Sequence, residues 1–368
     1  MAAGERPFFF VVIRNLVRFG IMNRRDLKYL LAYIIPVSGY FAVYHTGWLS
    51  YITVIIAFVL IPIFEFVLPK DDTNLSSSDY ELLKSRKFFD LLLYINIPLL
   101  YGLLAYFGYT IATGEFIPAD TVGKVLSVGI VGGSSGINVA HELGHKPGKF
   151  QQLGARLLLL PLLYLHFIIE HNRGHHLRVA TLEDPATSRK GEIVYFFWIR
   201  SIIFSYLSAW NLEKKRLQKA SLSFWSFHNE MILFSLLHLM YLSLIFMLGG
   251  FLTGTLLIVV ALVAILLLES INYLEHYGIL RKKESSGRYE KVLPIHSWNS
   301  DHTLGRIILY ELVRHSDHHY KANKKYQTLE SVKQSPQLPL GYPTSILAAL
   351  FPPLWFSIMN HRIPTTDN

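Results

Sequence analysis

No cysteine occurs in the 368 residues. That absence excludes disulfides, thiolate metal sites, iron–sulfur ligation and a thiol nucleophile, and leaves histidine and carboxylate as the strong ligands available. Electrons, if the chemistry needs them, must come from a separate molecule. Charge is also scarce, at 17% of residues against 51% hydrophobic and 14% aromatic, and the mean hydropathy is positive. This balance points to a membrane protein. The net charge of +9 does not indicate nucleic acid as a partner. No nucleic-acid motif accompanies it, and the basic residues cluster beside apolar runs, as membrane topology predicts. A signal-peptide shape is missing as well. The first long apolar run starts near Leu27 beside Arg24, Arg25 and Lys28 and has no small-residue cleavage site after it, so it is expected to stay as an anchor. Before it, Pro7 to Phe19 reads as an interfacial helix or a soluble cap. There is no internal repeat.

Six apolar runs are long enough to span a bilayer: Leu27 to Tyr44, Trp48 to Leu68, Phe88 to Ala112, Val122 to Ala140, Met231 to Leu248 and Phe251 to Ile271. In the fourth, Gly132-Gly133-Ser134-Ser135-Gly136 lowers hydropathy, but small residues let helices approach closely in a membrane bundle. His45-Thr-Gly47 and Gly249-Gly250 read as tight turns that close two hairpins. The expected fold is therefore all-α: one domain over 1–368, a six-helix transmembrane bundle with a histidine-rich helical cap. Lys70, Lys84, Arg86 and Lys87 lie between the second and third runs, whereas Thr113 to Thr121 has no basic residue. By the positive-inside rule both chain ends, 141–230 and 272–368 face the cytoplasm. Leu153 to Ile169, interrupted by Arg156, Pro161 and His166, reads as re-entrant or interfacial. A helix carrying the last histidine cluster is expected after Thr303, then a surface tail from Gln334 to Pro343, and Ile346 to Met359 is too short and proline-broken to span.

Nine of the 16 histidines fall in three clusters and one singleton: His141-Glu-Leu-Gly-His145, His171-Asn-Arg-Gly-His175-His176, His315-Ser-Asp-His318-His319, and His276 in Asn272-Tyr-Leu-Glu-His276-Tyr-Gly. Residues three and four apart share a helix face, so His141 with His145, His171 with His175, and His315 with His318 and His319 can each aim imidazoles at one spot. Imidazole suits iron, zinc, copper or nickel, and this set exceeds the three or four ligands of one zinc, which points to two metals. Spacing alone leaves His276 unassigned, although it follows its span by five residues, much as His141 follows the fourth. Glu142, Glu170, Asp184, Glu275, Asp301 and Asp317 lie beside or between the clusters, where they can accept the outer ring N–H of ligand histidines. His296 and His302 are weaker candidates for that supporting role, and His45, His166, His228, His238 and His361 read as ordinary histidines. His141 to His145 also matches HExxH, the zinc-protease signature, but a protease needs one further ligand and this chain offers seven more histidines.

The four motifs, together with Asp184-Pro-Ala-Thr-Ser-Arg189, Trp225-Ser-Phe227, Gly287-Arg-Tyr-Glu290 and His296-Ser-Trp-Asn-Ser300, resemble the integral-membrane alkane 1-monooxygenases among the histidine-rich di-iron hydroxylases and desaturases. The likeness runs from about the first span to Pro353. It implies two non-haem irons held by the nine histidines, His276 included, and hydroxylation of the terminal methyl of n-alkanes with O2 and two electrons. It further implies rubredoxin as a separate donor, reduced by an NADH-dependent rubredoxin reductase, since the cysteine-free chain carries no fused rubredoxin. A bacterial inner-membrane location follows from the same likeness. In that family a bulky residue on the second span is thought to limit chain length; the matching position is Val59, whose small side chain predicts tolerance of longer alkanes. Val313 departs from the glutamine that many relatives carry there. Alkyl-aromatic (xylene-type) hydroxylation, fatty-acyl hydroxylation or desaturation, and zinc proteolysis are the alternatives.

Overall fold

The computed structural model describes residues 23–364, so the segment Pro7 to Phe19 lies outside the described residues. Five helices are long and apolar enough to cross a membrane: α1 (Arg25–Tyr44), α2 (Gly47–Val67), α3 (Lys87–Thr113), α4 (Pro118–Gly144) and, past three shorter helical segments, a long Glu230–His276. Those between are α5 (Lys149–Leu159), α6 (167–178) and α7 (Val194–Lys219), so the long one is α8. Beyond it come α9 (Thr303–Ile308), α10 (His315–Tyr320), α11 (Tyr342–Ala349) and α12 (Pro352–Met359). Among the described residues no strand forms beyond three isolated bridges.

The centre of the bundle is α4, 83% of whose most apolar window is buried against 33–44% for the other four. Its small residues explain this. A Cβ on Gly129 would stand 2.4 Å from Val263, and one on Gly133 2.7 Å from Leu267, so glycine sets how closely α4 and α8 pack. With its 47 residues α8 is broken at Gly250, whose φ of 73° a residue with a side chain rarely adopts. The chain folds back there: Phe246 lies against Gly254, eight positions on, which a straight helix would hold about 12 Å away.

Between α4 and α7 the chain does not make one long helix. α5 ends at Leu159, Leu163 takes φ 55°, and Leu158, Leu159, Leu162 and Tyr164 bury the turn against the bundle. The turn is thus satisfied by protein, which permits irregular backbone at that depth. One helix escaped the sequence reading: α7 keeps Phe196, Ile199 and Ile203 exposed at helical spacing while Phe197, Ser201 and Ser205 face the protein. An outward apolar stripe on a charged helix suits the membrane surface. A second departure lies at the C-terminus. Instead of a surface tail from Gln334, Leu338 and Tyr342 enter a second core with Tyr273, Tyr277, Trp298, Trp355 and Met359. The prolines there end and start short helices rather than keep the chain outside.

The expected helix after Thr303 is split. Tyr310 and Glu311 both adopt left-handed φ (53° and 56°) between α9 and α10, a conformation costing roughly 1 kcal/mol or more per residue. Buried Glu311 compensates, accepting from Tyr29 Oη at 2.6 Å and Arg306 Nε at 2.6 Å. This turn aims α10 at the ends of α4 and α8.

Candidate metal centre

Four elements deliver the nine histidines to one place. α4 ends on His141 and His145, α6 carries His171, His175 and His176, α8 ends on His276, and α10 carries His315, His318 and His319. They divide into two groups: His141, His145, His171, His176 and His318, and His175, His276, His315 and His319. Within each group, one nitrogen per ring lies within 4.8 Å of all the others.

The division differs from the pairing that helical spacing suggests. His141 stays with His145 and His315 with His319, but His171 parts from His175, and His318 from His315. The cause is local. Residues 171–175 form a π turn, whose wider repeat brings His171 and His176, five apart, onto one face. Adjacent His175 and His176, like His318 and His319, consequently serve opposite groups.

The nitrogen spacing fits bound cations. The Nε2 of His171 lies 3.1 Å from that of His145 and 3.0 Å from that of His176, while the His175–His319 and His276–His315 pairs of Nε2 atoms are each 3.2 Å apart. Ligands 2.0–2.1 Å from one ion sit about 3 Å apart at this kind of angle. Nε2 of His141 and of His318 are buried with no partner among the described residues, which a metal would correct. Burial first, and then the neighbouring imidazoles, push His145, His171, His176, His315, His318 and His319 well below the usual histidine range, keeping them neutral as ligation requires. His175 differs. Burial opposes its charge, but Asp184 outweighs burial and raises it.

Of the six acids, Asp184 takes the expected place, its Oδ2 2.9 Å from Nδ1 of His175 and held by Thr187 Oγ1 at 2.6 Å. Glu275 is on the inner side instead, its Oε2 3.3 Å from Nε2 of His315 while Oε1 accepts from Tyr342 Oη at 2.7 Å. The other four bind cations. Glu142 pairs with Lys146 at 2.9 Å and accepts the Tyr326 N–H at 3.1 Å. Glu170 pairs with Arg178 at 2.7 Å, Asp317 with Lys324 at 2.7 Å, and Asp301 with Arg314 at 3.5 Å while it accepts from Ser331 Oγ at 2.7 Å. Glu142 is therefore committed away from the histidines, whereas a protease would need it as base. His296 and His302 bind Glu290 and Ser300 and join neither group. The five histidines read as ordinary also stay outside both groups.

Beneath the centre lies a wholly apolar pocket bordered by Ala57, Phe58, Ile61, Ile130, Ile308 and Ile346. Two further lining residues, Ser134 and Ile271, precede His141 by seven positions and His276 by five, one to two helical turns from the histidine-bearing ends. Val59 is 47% exposed on the outer face of α2 and does not border the pocket; Phe58, one position earlier, does.

The family model for fatty acid desaturases matches residues 121–345, which span all nine histidines. The chain is 37% identical to alkane 1-monooxygenase 1 of Alcanivorax borkumensis over 350 residues, 94% of this chain and 86% of that protein. It is also 37% identical to alkane 1-monooxygenase 2 of Pseudomonas aeruginosa over 337 residues, covering 89% and 88%. To the xylene/toluene monooxygenase hydroxylase component of Pseudomonas putida it is 28% identical over 339 residues, covering 90% and 87%. With that identity across nearly the whole length of both partners, and with every histidine of the motifs gathered at one centre, the chain belongs to the alkane 1-monooxygenase family.

Proposed function

We propose that the protein hydroxylates the terminal methyl of n-alkanes to 1-alkanols, using O2 and two irons held by the five- and four-histidine groups. The observation that carries this reading is the apolar pocket bordered one to two turns before two closely gathered sets of imidazoles. Iron in those sets would supply the redox chemistry that activates O2 for insertion into a C–H bond. The protein's own task is positioning. Phe58, Ile130 and Ile308 exclude water and admit a slender chain, so that its end methyl meets the centre ahead of the stronger competition from inner methylenes. Asp184 holds the tautomer of His175 so that Nε2 faces inward.

The bundle crosses the membrane six times in this reading, since the fold at Gly250 divides α8 into two arms of spanning length. In the same reading both ends and the histidine centre lie on the cytoplasmic side of a bacterial inner membrane, an orientation that the basic residues between α2 and α3 support through the positive-inside rule. Electrons arrive from a separate carrier of the rubredoxin kind, kept reduced by an NADH-dependent reductase. His145 and His176 are the partly exposed ligands, and beside them Leu177 (72% exposed) and Tyr320 (47% exposed) offer apolar contact next to Lys146 and Lys321. An acidic carrier would dock there.

The experiment is to purify the protein in detergent, quantify iron and zinc, then supply rubredoxin, its reductase, NADH and a series of n-alkanes. Two irons per chain and 1-alkanol products are expected. Zinc without oxygenation would overturn the reading, and iron with alcohols only from alkyl-aromatic or fatty-acyl compounds would move the substrate class.

A further inference from the structure

Glu65 is a buried acid with no part in holding the histidines. It lies near the end of α2, is 7% exposed, and accepts the Gly305 N–H through Oε1 at 3.1 Å. Its other oxygen, Oε2, is buried with no partner among the described residues. Two glycines make room for it: a Cβ on Gly341 would stand 1.9 Å from Oε2, and one on Gly305 2.9 Å from Oε1. If the side chain served only to fasten α9 to α2, one oxygen would suffice, and the second would carry the penalty of an unmade hydrogen bond.

The position suggests what the second oxygen meets. Gly305 and Ile61 border the apolar pocket under the histidines. Glu65, Gly341, Thr344, Lys70 and His302 border a second pocket, which opens to the outside. The two pockets share no lining residue, but neighbours in sequence border each of them, Ile61 beside Pro62 and Tyr342 beside Gly341, so the carboxylate stands at the boundary between them, with Lys70, His302 and Thr344 as the other polar side chains of the outer pocket. An alkane has nothing to offer it; a hydroxyl does.

We propose that Glu65 is a product subsite, accepting a hydrogen bond from the hydroxyl of a long-chain primary alcohol as it leaves the apolar pocket through the opening beside Lys70 and His302. The inference rests on the alkane-hydroxylation reading above. It adds a direction to that reaction: substrate enters as a purely apolar chain, and the product's only polar group is drawn to a separate mouth. Thr344 and Gly341 frame that mouth from the far side, on the start of α11.

Equilibrium binding of a 1-alkanol and of the n-alkane of equal length should be measured on the wild-type protein and on Glu65→Leu, with metal content as the check of folding. The variant should lose about tenfold in alcohol affinity, the scale of one hydrogen bond to an acid, with alkane affinity changed less than twofold. Equal losses for both ligands, or no loss for the alcohol, would overturn the proposal. Should Glu65→Leu fail to fold, photolabelling of wild-type protein decides. A 1-alkanol with a diazirine beside the carbinol carbon should label residues 62–70 or 339–344, and the same diazirine on an alkane should not; identical labelling by the two would sink the subsite. Wild-type protein that forms no alcohol from any alkane would instead refute the alkane-hydroxylation reading, a result separable from either of these.

Discussion

Asp184 Oδ2 and His175 Nδ1 lie 2.9 Å apart in full burial, and the contact fixes which nitrogen of His175 faces the histidine centre. Thr187 holds the same oxygen, so the carboxylate has little freedom to turn.

Removing that carboxylate should damage one metal more than the other. Asp184→Asn is expected to weaken the four-histidine group by about 10- to 100-fold in metal affinity, while the five-histidine group stays loaded. Metal analysis after graded chelation reads this directly: stoichiometry should pass through a plateau near one metal per chain, and simultaneous loss of both would show that the acid supports the whole centre.

The two-group geometry makes a matched prediction for the histidines themselves. His145→Ala and His315→Ala, one from each group, should each lower metal content toward one ion per chain and abolish hydroxylation. His302→Ala, a histidine outside both groups, should leave metal content unchanged. Full loading of either ligand variant would mean that the groups are not separate sites.

Chain-length selection should respond to Phe58 and not to Val59. Phe58 borders the apolar pocket, whereas Val59 faces outward. Product profiles over an n-alkane series should show a longer accepted chain for Phe58→Ala, and no change of limit for Val59→Trp. A shortened limit in Val59→Trp would place the substrate path along the outer face of α2.

Acid should release the turn before α10. Burial opposes the Glu311 charge, but Arg306 and Arg314 outweigh it and hold its carboxyl below the ordinary range. A depressed carboxyl contributes stability fully present above the unfolded pKa near 4.3, and loses it as pH falls through the lower folded value. Glu311→Gln, which leaves Arg306 with Asp71 as its remaining carboxylate partner, should cost about 1–3 kcal/mol at neutral pH and flatten the fall of Tm below about pH 4.5. Thermal melts of both proteins between pH 3 and 7 test the sign; an unchanged acid slope would assign the acid limb to other groups.

Much of this was legible in the sequence because it depends on periodicity and composition. Apolar runs mark α1 to α4 and α8, the glycines of α4 foretell its close packing with α8, and the nine histidines do converge. What stayed hidden depends on backbone detail that composition does not carry. A π turn at residues 171–175 regroups His171 with His176, and left-handed Tyr310 and Glu311 break the helix expected after Thr303. The acids were ambiguous for a different reason. Glu142, Asp301 and Asp317 lie close to histidines in sequence, but lysine, arginine or a backbone N–H compete for them, and only the tertiary contacts reveal which partner wins. Phe196, Ile199 and Ile203 of α7 are helically spaced, but their neighbours Phe197, Trp198, Ile202 and Phe204 are apolar too, so the sequence does not single out which face is turned outward.

The regrouping of adjacent histidines has a mechanical consequence. His175 and His176 belong to different groups, and so do His318 and His319. Each such pair is joined by a single planar peptide unit, whose ends are about 3.8 Å apart and cannot stretch. The backbone anchors of the two groups are thus tied together twice by covalent geometry, once on α6 and once on α10. Loop motion, lipid thickness or the arrival of a partner can shift the centre as a body, but drawing its halves apart requires the imidazoles of these pairs to rotate or a helix to unwind.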